Sequence, residues 1–504
     1  MSYIGNSPAL KYASFAVQHF TTSATTGYTL DNAVTNENGI ALFINNVRQQ
    51  PGSSYAYTAS GTTLTLSAAT TSSDTMYCVF IGKAVQTVNP PAGSVAASQL
   101  NDDAISGQGA LGAEPADTDE FLVSDAGTLK RVDYSYIKGI TQTSFLPSAQ
   151  PIFYNGDANV SQRGDSTGIT NANSGYYGPD RYKFNEDGTM TAVLSISQET
   201  LTSGNAFDDG FERALKYDVT TADASVAADI YARIEQRFEK GDLSLFKKGT
   251  SNAETYTLAF WVKATVTGTN VVELQDQVNT RHCCASYTIS STDTWEHKVL
   301  NFAADTSGPL GTGTGLGMNV NFALQAGTNY TSGTLATAWA SSTDANRAVG
   351  QVNNFSSTSN NFHLTGIQLE VGTYTSSTIP PFQHESYGDN YDRCLRYYYR
   401  ITPVSGLRFV GWCQMDNDDT NHVAYIDFKK NLRVPPTALE QSGTASHYKI
   451  REGTTTTCDA VPTFNNADIW YAAISFKKDS SGFDQGELNK CGIDGGYLGW
   501  SAEL

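Results

Sequence analysis

Apolar and polar residues alternate along most of this chain with a period of two, the pattern of strands that bury one face. In TYTLAFWVKATV, Tyr256, Leu258, Phe260 and Val262 fall on one side and Thr257, Trp261 and Lys263 on the other. GIALFINNV groups Ile40, Leu42 and Ile44 in the same way, and SYAYTA, TLTLSA and DTMYCVFIG follow as further strands, with QQPG and ASG as hairpin turns. NFHLTGIQLEVG changes phase midway: Phe362 and Leu364 share one register, Ile367, Leu369 and Val371 the next, which predicts a bulge at Gly366. ADIYARIEQRFE fits a helix through Ile230, Ile234 and Phe238 or a strand through Ile230, Ala232 and Ile234; its strand neighbours decide for the strand.

Arranged along the chain, these elements predict an all-β protein in four parts. Residues 1–90 form an N-terminal β-sandwich that ends at VNPPAG. Residues 91–145 carry only brief apolar pieces between acidic and glycine turns, too few to bury a core alone. The alternation in DEFLVSDAGTLKRV favours a stretch that packs against copies of itself or a partner over a mobile linker. Residues 146–393 hold many short strands with Gly- and Ser-rich turns, best fitted by a jelly-roll β-sandwich. Residues 394–504, with RFVGW, HVAYIDF, HYKI and DIWYAAISF, predict a C-terminal β-sandwich tip.

Charge narrows the partners. Fifty acidic against 32 basic residues give a net charge of −18, and no Lys/Arg run exceeds two, so neither nucleic acid nor an anionic membrane has an electrostatic footprint. The opening MSYIGNSPALKYASFAVQHF lacks the basic and apolar regions of a secretory signal, and no apolar run reaches the roughly 18 residues of a membrane span, so the expectation is a chain made in a cytosol and not inserted in a membrane. The seven cysteines are scattered apart from Cys283-Cys284 and read as reduced core thiols.

Catalytic patterns are missing: there is no GxSxG elbow, HExxH helix or Walker loop, and GTGTGLG at 311–317 reads as a turn. His282, Cys283 and Cys284 cannot all ligate one ion, because neighbours on a strand point to opposite faces. Asp102-Asp103, Asp208-Asp209 and the DNDD at 416–419 sit in turns, as solvated loop acids. The expectation is no catalytic residue, no metal and no cofactor. Aromatic residues carry more, because a sugar's C–H face stacks on Trp or Tyr. The C-terminal part holds Trp412, Tyr425, Tyr448, Trp470, Tyr471 and Trp500, and the adjacent Trp470-Tyr471 cannot both face inward on one strand. Trp412, Trp470 and Tyr471 are therefore receptor-binding candidates, with Trp339 in the polar loop LATAWASS as a further one.

Several runs resemble a known family. YIGNSPALKYASFAVQHF, DNAVTNENGIALFINNVRQQPGSSYAYTASGTTLTLS and CVFIGKA resemble the N-terminal domain of tail fibres from marine, T7-like bacteriophages. ALGAEPADTDEFLVSDAGTLKRVDYSYIKG is similar to a stalk element of such fibres, and NGDANVSQRG, TLAFWVKA, TWEHKVL, LTGIQLEVG and SYGDNYDRCLRYYYR look like their glycan-binding-like jelly roll and following tip. The resemblance implies a homotrimeric tail fibre of the virion, attached through residues 1–90 to a tail nozzle, adaptor or hub protein, with 91–145 as its stalk and Phe121, Val123, Leu129, Val132 and Ile137 at the stalk's trimer interface. It implies recognition of a host cell-surface glycan or outer-membrane receptor through 146–504. A tailspike-type depolymerase cleaving host polysaccharide is the alternative, and it has no β-helix repeat to support it.

Overall fold

A computed structural model describes residues 15–81, 111, 115–126, 128–137, 151–415, 420–478 and 486–504. Among the described residues the protein is nearly all β, 46% strand against 9% helix, and every pairing between strands of a sheet is antiparallel. It divides into two compact units, Met1–Pro115 and Ala116–Leu504.

In the first unit a four-stranded sheet, ordered Val17–Phe20, Met76–Phe80, Ile40–Ile44 and Val47–Arg48, faces the pair Gly27–Val34 and Tyr57–Leu66. Ile40 and Leu42 enter the core with Tyr28, Leu30, Leu64 and Cys78, as the alternation requires. The ASG predicted as a turn does not turn. One strand runs through it, and Gly61 takes a positive φ of 57° where the pairing with Gly27–Val34 shifts register.

The second unit opens with a hairpin, Glu120–Asp125 against Thr128–Asp133, in which Phe121 lies opposite Val132 and Val123 opposite Lys130. Phe121, Leu122 and Val123 are all exposed, while Val132 and Ile137 are half-buried; the Leu129 side chain and most of 91–145 lie outside the described residues. Two sheets then close a sandwich. The seven-stranded one runs Gly175–Tyr176, Lys183–Asp187, Tyr231–Glu239, Leu316–Ala326, Gly268–Asp276, Arg281–Ile289, Ala340–Ser341; the six-stranded one runs Glu296–Phe302, Tyr256–Ala264, Asn361–Val371, Arg213–Thr221, Val193–Thr200, Ser166–Ile169. Tyr256, Leu258, Phe260 and Val262 from one sheet meet Ile234, Phe238, Val320 and Phe322 from the other in a single core. Tyr231–Glu239 is a strand, because its partners on both sides supply ladder hydrogen bonds that a helix would leave unmade.

Gly366 makes the predicted bulge. The register with Tyr256–Ala264 slips there, its φ is +60°, and a Cβ would stand 2.7 Å from Phe211 Cζ, so only glycine fits.

The C-terminal part forms a three-stranded sheet (Tyr398–Ile401, Leu498–Ser501, Glu440–Gln441) and a seven-stranded one. The latter is ordered Thr454–Thr457, Tyr448–Glu452, Leu488–Asp494, Leu407–Met415, Asn421–Asp427, Tyr471–Lys477, Ala460–Ala467. Its core includes Trp500, Tyr448, Ile474 and Phe476 with Cys413, Cys458 and Cys491. All seven cysteines are free and buried.

SYGDNYDRCLRYYYR joins the sandwich to this part. Helix Tyr387–Leu395 starts at Ser386, whose side chain accepts from the Asp389 amide at 3.2 Å. Arg396 then makes two bonds to Glu239, at 2.7 and 2.8 Å, and the Tyr397 hydroxyl donates to the same carboxylate at 2.7 Å. Arg181, fully buried, lies 3.5 Å from the Tyr397 ring centre and pairs with Glu503. Tyr397, Tyr398 and Tyr399 are buried, so this cluster is a junction and not a binding surface.

Candidate functional site

The outward face of the seven-stranded sandwich sheet is closed. Tyr231, Val271, Cys284 and Ala323 pack under Ala348, Tyr330 and Ala336 of the segment that follows Leu316–Ala326. Arg347 from that segment holds both oxygens of the fully buried Glu273, at 2.8 and 2.9 Å, and lies over the Tyr231 ring. Burial alone would raise the Glu273 carboxyl, but the Arg347 charge and hydrogen bonds from His282, Arg347 and Asn321 outweigh it and hold the carboxyl at about 2. Glu273 also brings a ligand atom within 4.8 Å of those of His282 and Cys284. His282 and Cys284, two apart on one strand, share a face, and Cys283 points into the sandwich core. Both Glu273 oxygens are committed to Arg347, His282 hydrogen-bonds to the same carboxylate, and the Cys284 thiol faces the Asn346 and Arg347 carbonyls.

Trp339, on the same segment, packs instead against the sandwich core beside Tyr256. It is half-buried, its indole N–H donates to the Ala303 carbonyl at 2.8 Å, and Lys248 Nζ sits 4.8 Å from its ring centre. A cleft of about 370 Å³ lies beside the junction, but its cations are occupied: Arg163 stacks on Tyr398 at 3.5 Å and Arg400 on Tyr497 at 3.7 Å.

The solvent face of the C-terminal seven-stranded sheet is different. An open cleft of about 510 Å³ there is lined by Trp412, Gln414, Val423, Tyr425, Asp427 and Leu488. Trp412 and Tyr425 are 58% and 65% exposed, far more than packing side chains of their size. A bulge puts Trp412 outside. In RFVGW simple alternation would send Phe409 and Trp412 to opposite faces, but Phe409 pairs with Gly492 and Gly411 with Cys491, so Val410 is the extra residue and both rings emerge on one side. Tyr471 pairs with Asp427 on the same side, half-buried, its ring 5.9 Å from that of Tyr425. Trp470 precedes the strand, 57% exposed at the sheet's end, where its carbonyl accepts from the Phe428 amide.

Of the aromatic candidates, Trp412 and Tyr471 thus share a face with Tyr425, Trp470 stands at its edge, and Trp339 lies in the sandwich. Tyr448 and Trp500 are core. The residues 416–419 lie outside the described residues. Phe409, Leu488, Lys490 and Arg451, which complete this face, escaped sequence reading; the glycine inside RFVGW was the one local hint of the bulge that assembles them.

No protein-family model and no curated protein matches the chain. Among solved structures it is similar to the enzymatically active domain of bacteriophage CBA120 tailspike protein 4, at 12% identity over 38% of this chain and 19% of that one, TM-score 0.21. It is also similar to the family 11 carbohydrate-binding module of cellulase Lic26A-Cel5E of Clostridium thermocellum, at 10% identity over 42% of this chain and 98% of that one, TM-score 0.21. A third likeness is to the tandem CBM22 domains of Paenibacillus barcinonensis Xyn10C, at 8% identity over 71% and 100%, TM-score 0.22.

Proposed function

We propose that this chain is a phage tail fibre protein, a homotrimer in the virion tail that docks on a tail protein through residues 1–90 and adsorbs to a host cell-surface glycan through its C-terminal β-structure. The observation that carries the reading is the open cleft with Trp412, Tyr425 and Tyr471 on one sheet face: flat rings in solvent offer stacking surface to pyranose rings, with Gln414 and Asp427 beside them for hydroxyls. The exposed apolar side chains of the Glu120–Asp125 hairpin support self-association, since a lone two-stranded hairpin is marginal in water and Phe121, Leu122 and Val123, exposed among the described residues, would gain burial from a partner. Three copies would turn weak sugar contacts into firm attachment through effective concentration. The action proposed is adhesion without a chemical step.

Light scattering of the full chain tests the assembly, with a mass three times 54.2 kDa expected. Adsorption to host cells tests the site: Trp412→Ala, Trp470→Ala and Tyr471→Ala are expected to lower binding with the trimer intact. Unchanged adsorption of all three variants would move the receptor site elsewhere. Release of reducing ends from host polysaccharide by the purified chain would replace adhesion with depolymerisation.

A further inference from the structure

The cleft has a charged extension. On the strand beside Trp412, Lys490 stands directly opposite it, and on the next strand Arg451 stands directly opposite Lys490. All three point to solvent, so Arg451, Lys490 and Trp412 form one row across three adjacent strands, and the Cys413–Ala424 register carried one step further continues the row to Tyr425. At strand spacing the row spans about 14 Å, the reach of two to three sugar rings.

Two cations directly opposed across a ladder repel one another and destabilise the sheet. No carboxylate neutralises this pair: among the described residues neither cation has an acidic partner, and the rings beside them, at 5.1 Å (Lys490 to the Trp412 centre), 5.9 Å (Lys490 to Phe409) and 5.8 Å (Arg451 to Phe409), attract the cations without cancelling their charge. Lys449, two residues before Arg451 on the same face, adds a third positive charge. The chain as a whole carries −18, so a cationic patch abutting its most exposed tryptophan runs against the global balance. Asp427 lies at the opposite end of the cleft.

Resting on the glycan reading above, we infer that this face takes an anionic saccharide, its carboxylate or phosphate held between Arg451 and Lys490, its ring stacked on Trp412 and the following residue on Tyr425. The anion supplies the charge the row lacks, and Asp427 accepts hydroxyls from the far end. A neutral glycan would leave the cation pair repelling.

The test is binding of the full-length chain to an array of bacterial surface polysaccharides in which each acidic polymer is printed beside its carboxyl-reduced and its dephosphorylated form. The expected result is binding to acidic members, at least tenfold weaker for whichever treated form has lost the anion, which also separates carboxylate from phosphate. Arg451→Gln and Lys490→Gln are expected to erase that preference, to weaken the salt dependence and to leave the melting temperature equal or higher. Trp412→Ala should lose acidic and neutral binding alike. Binding indifferent to the treatments, or a preference retained in both variants, overturns the anion inference while the glycan reading stands. Binding to no polysaccharide on the array overturns both. A melting temperature lowered by Arg451→Gln and Lys490→Gln, or a solution mass changed by them, overturns the inference by making the row a structural contact or a contact between copies.

Discussion

Arg347→Met should unlock the cover over the sandwich sheet and reverse its response to pH. In the native protein the carboxyl of Glu273 falls from 4.5 to about 2, which at about 1.4 kcal/mol per unit is about 3 kcal/mol of stability. Because the folded value lies below the unfolded one, this contribution is present above pH 4.5 and is lost as the pH falls from there towards 2. Removing the guanidinium leaves a buried carboxylate among Tyr231, Asn321 and His282, and breaking a buried pair costs about 3–5 kcal/mol. Burial then pushes the Glu273 carboxyl up, so the variant is destabilised as pH rises through the new value and recovers on acidification. Amide hydrogen exchange in the 327–350 segment, corrected for the intrinsic pH dependence, reads this directly. At pH 7 the variant should lose protection roughly a hundredfold, the equivalent of about 3 kcal/mol, and regain part of it towards pH 5, while the native protein stays flat over that range. Adding Glu273→Gln should restore much of the loss. Native-like protection in Arg347→Met at pH 7, or the same pH slope in both proteins, would refute the assignment of this ion pair as the clamp.

Other outcomes are as definite. Gly366→Ala must place a Cβ 2.7 Å from Phe211 and 3.0 Å from Trp261 at a positive φ, so it should cost about 3 kcal/mol and visibly lower the melting temperature of the 116–504 unit in calorimetry. The thiols should be silent to Ellman's reagent at pH 8 in the native chain and all seven should react in guanidinium, since burial pushes Cys78 and Cys283 to about 11 and Cys458 to about 12. A thiol reacting at native stoichiometry would contradict its buried position.

The class of fold and much of the residue placement within strands were legible from alternation alone. Period-two alternation is a local property, so Tyr256–Ala264, Ile40–Ile44 and even the ambiguous Tyr231–Glu239 could be assigned, and the phase shift at Gly366 marked its bulge without any partner strand in view. The adjacency of Trp470 and Tyr471 pointed to the end of the C-terminal seven-stranded sheet, but Trp470 stands before its strand, where alternation does not govern its exposure. Which aromatics share a surface follows from strand order in the folded chain. Trp412, Tyr425, Tyr471, Lys490 and Arg451 lie on five strands whose order in the sheet is not their order in the chain, and their meeting depends on that order and on a one-residue slip at Val410 that no periodicity reports. Trp339 shows the converse: its polar neighbourhood in sequence promised exposure, yet the fold gave its indole N–H to Ala303 and its ring to Lys248, because a long loop laid over a sheet must satisfy its buried polar groups there. Local alternation states which side of a strand faces water; the neighbours that a side chain meets on that side are set by long-range pairing, a property of the folded chain.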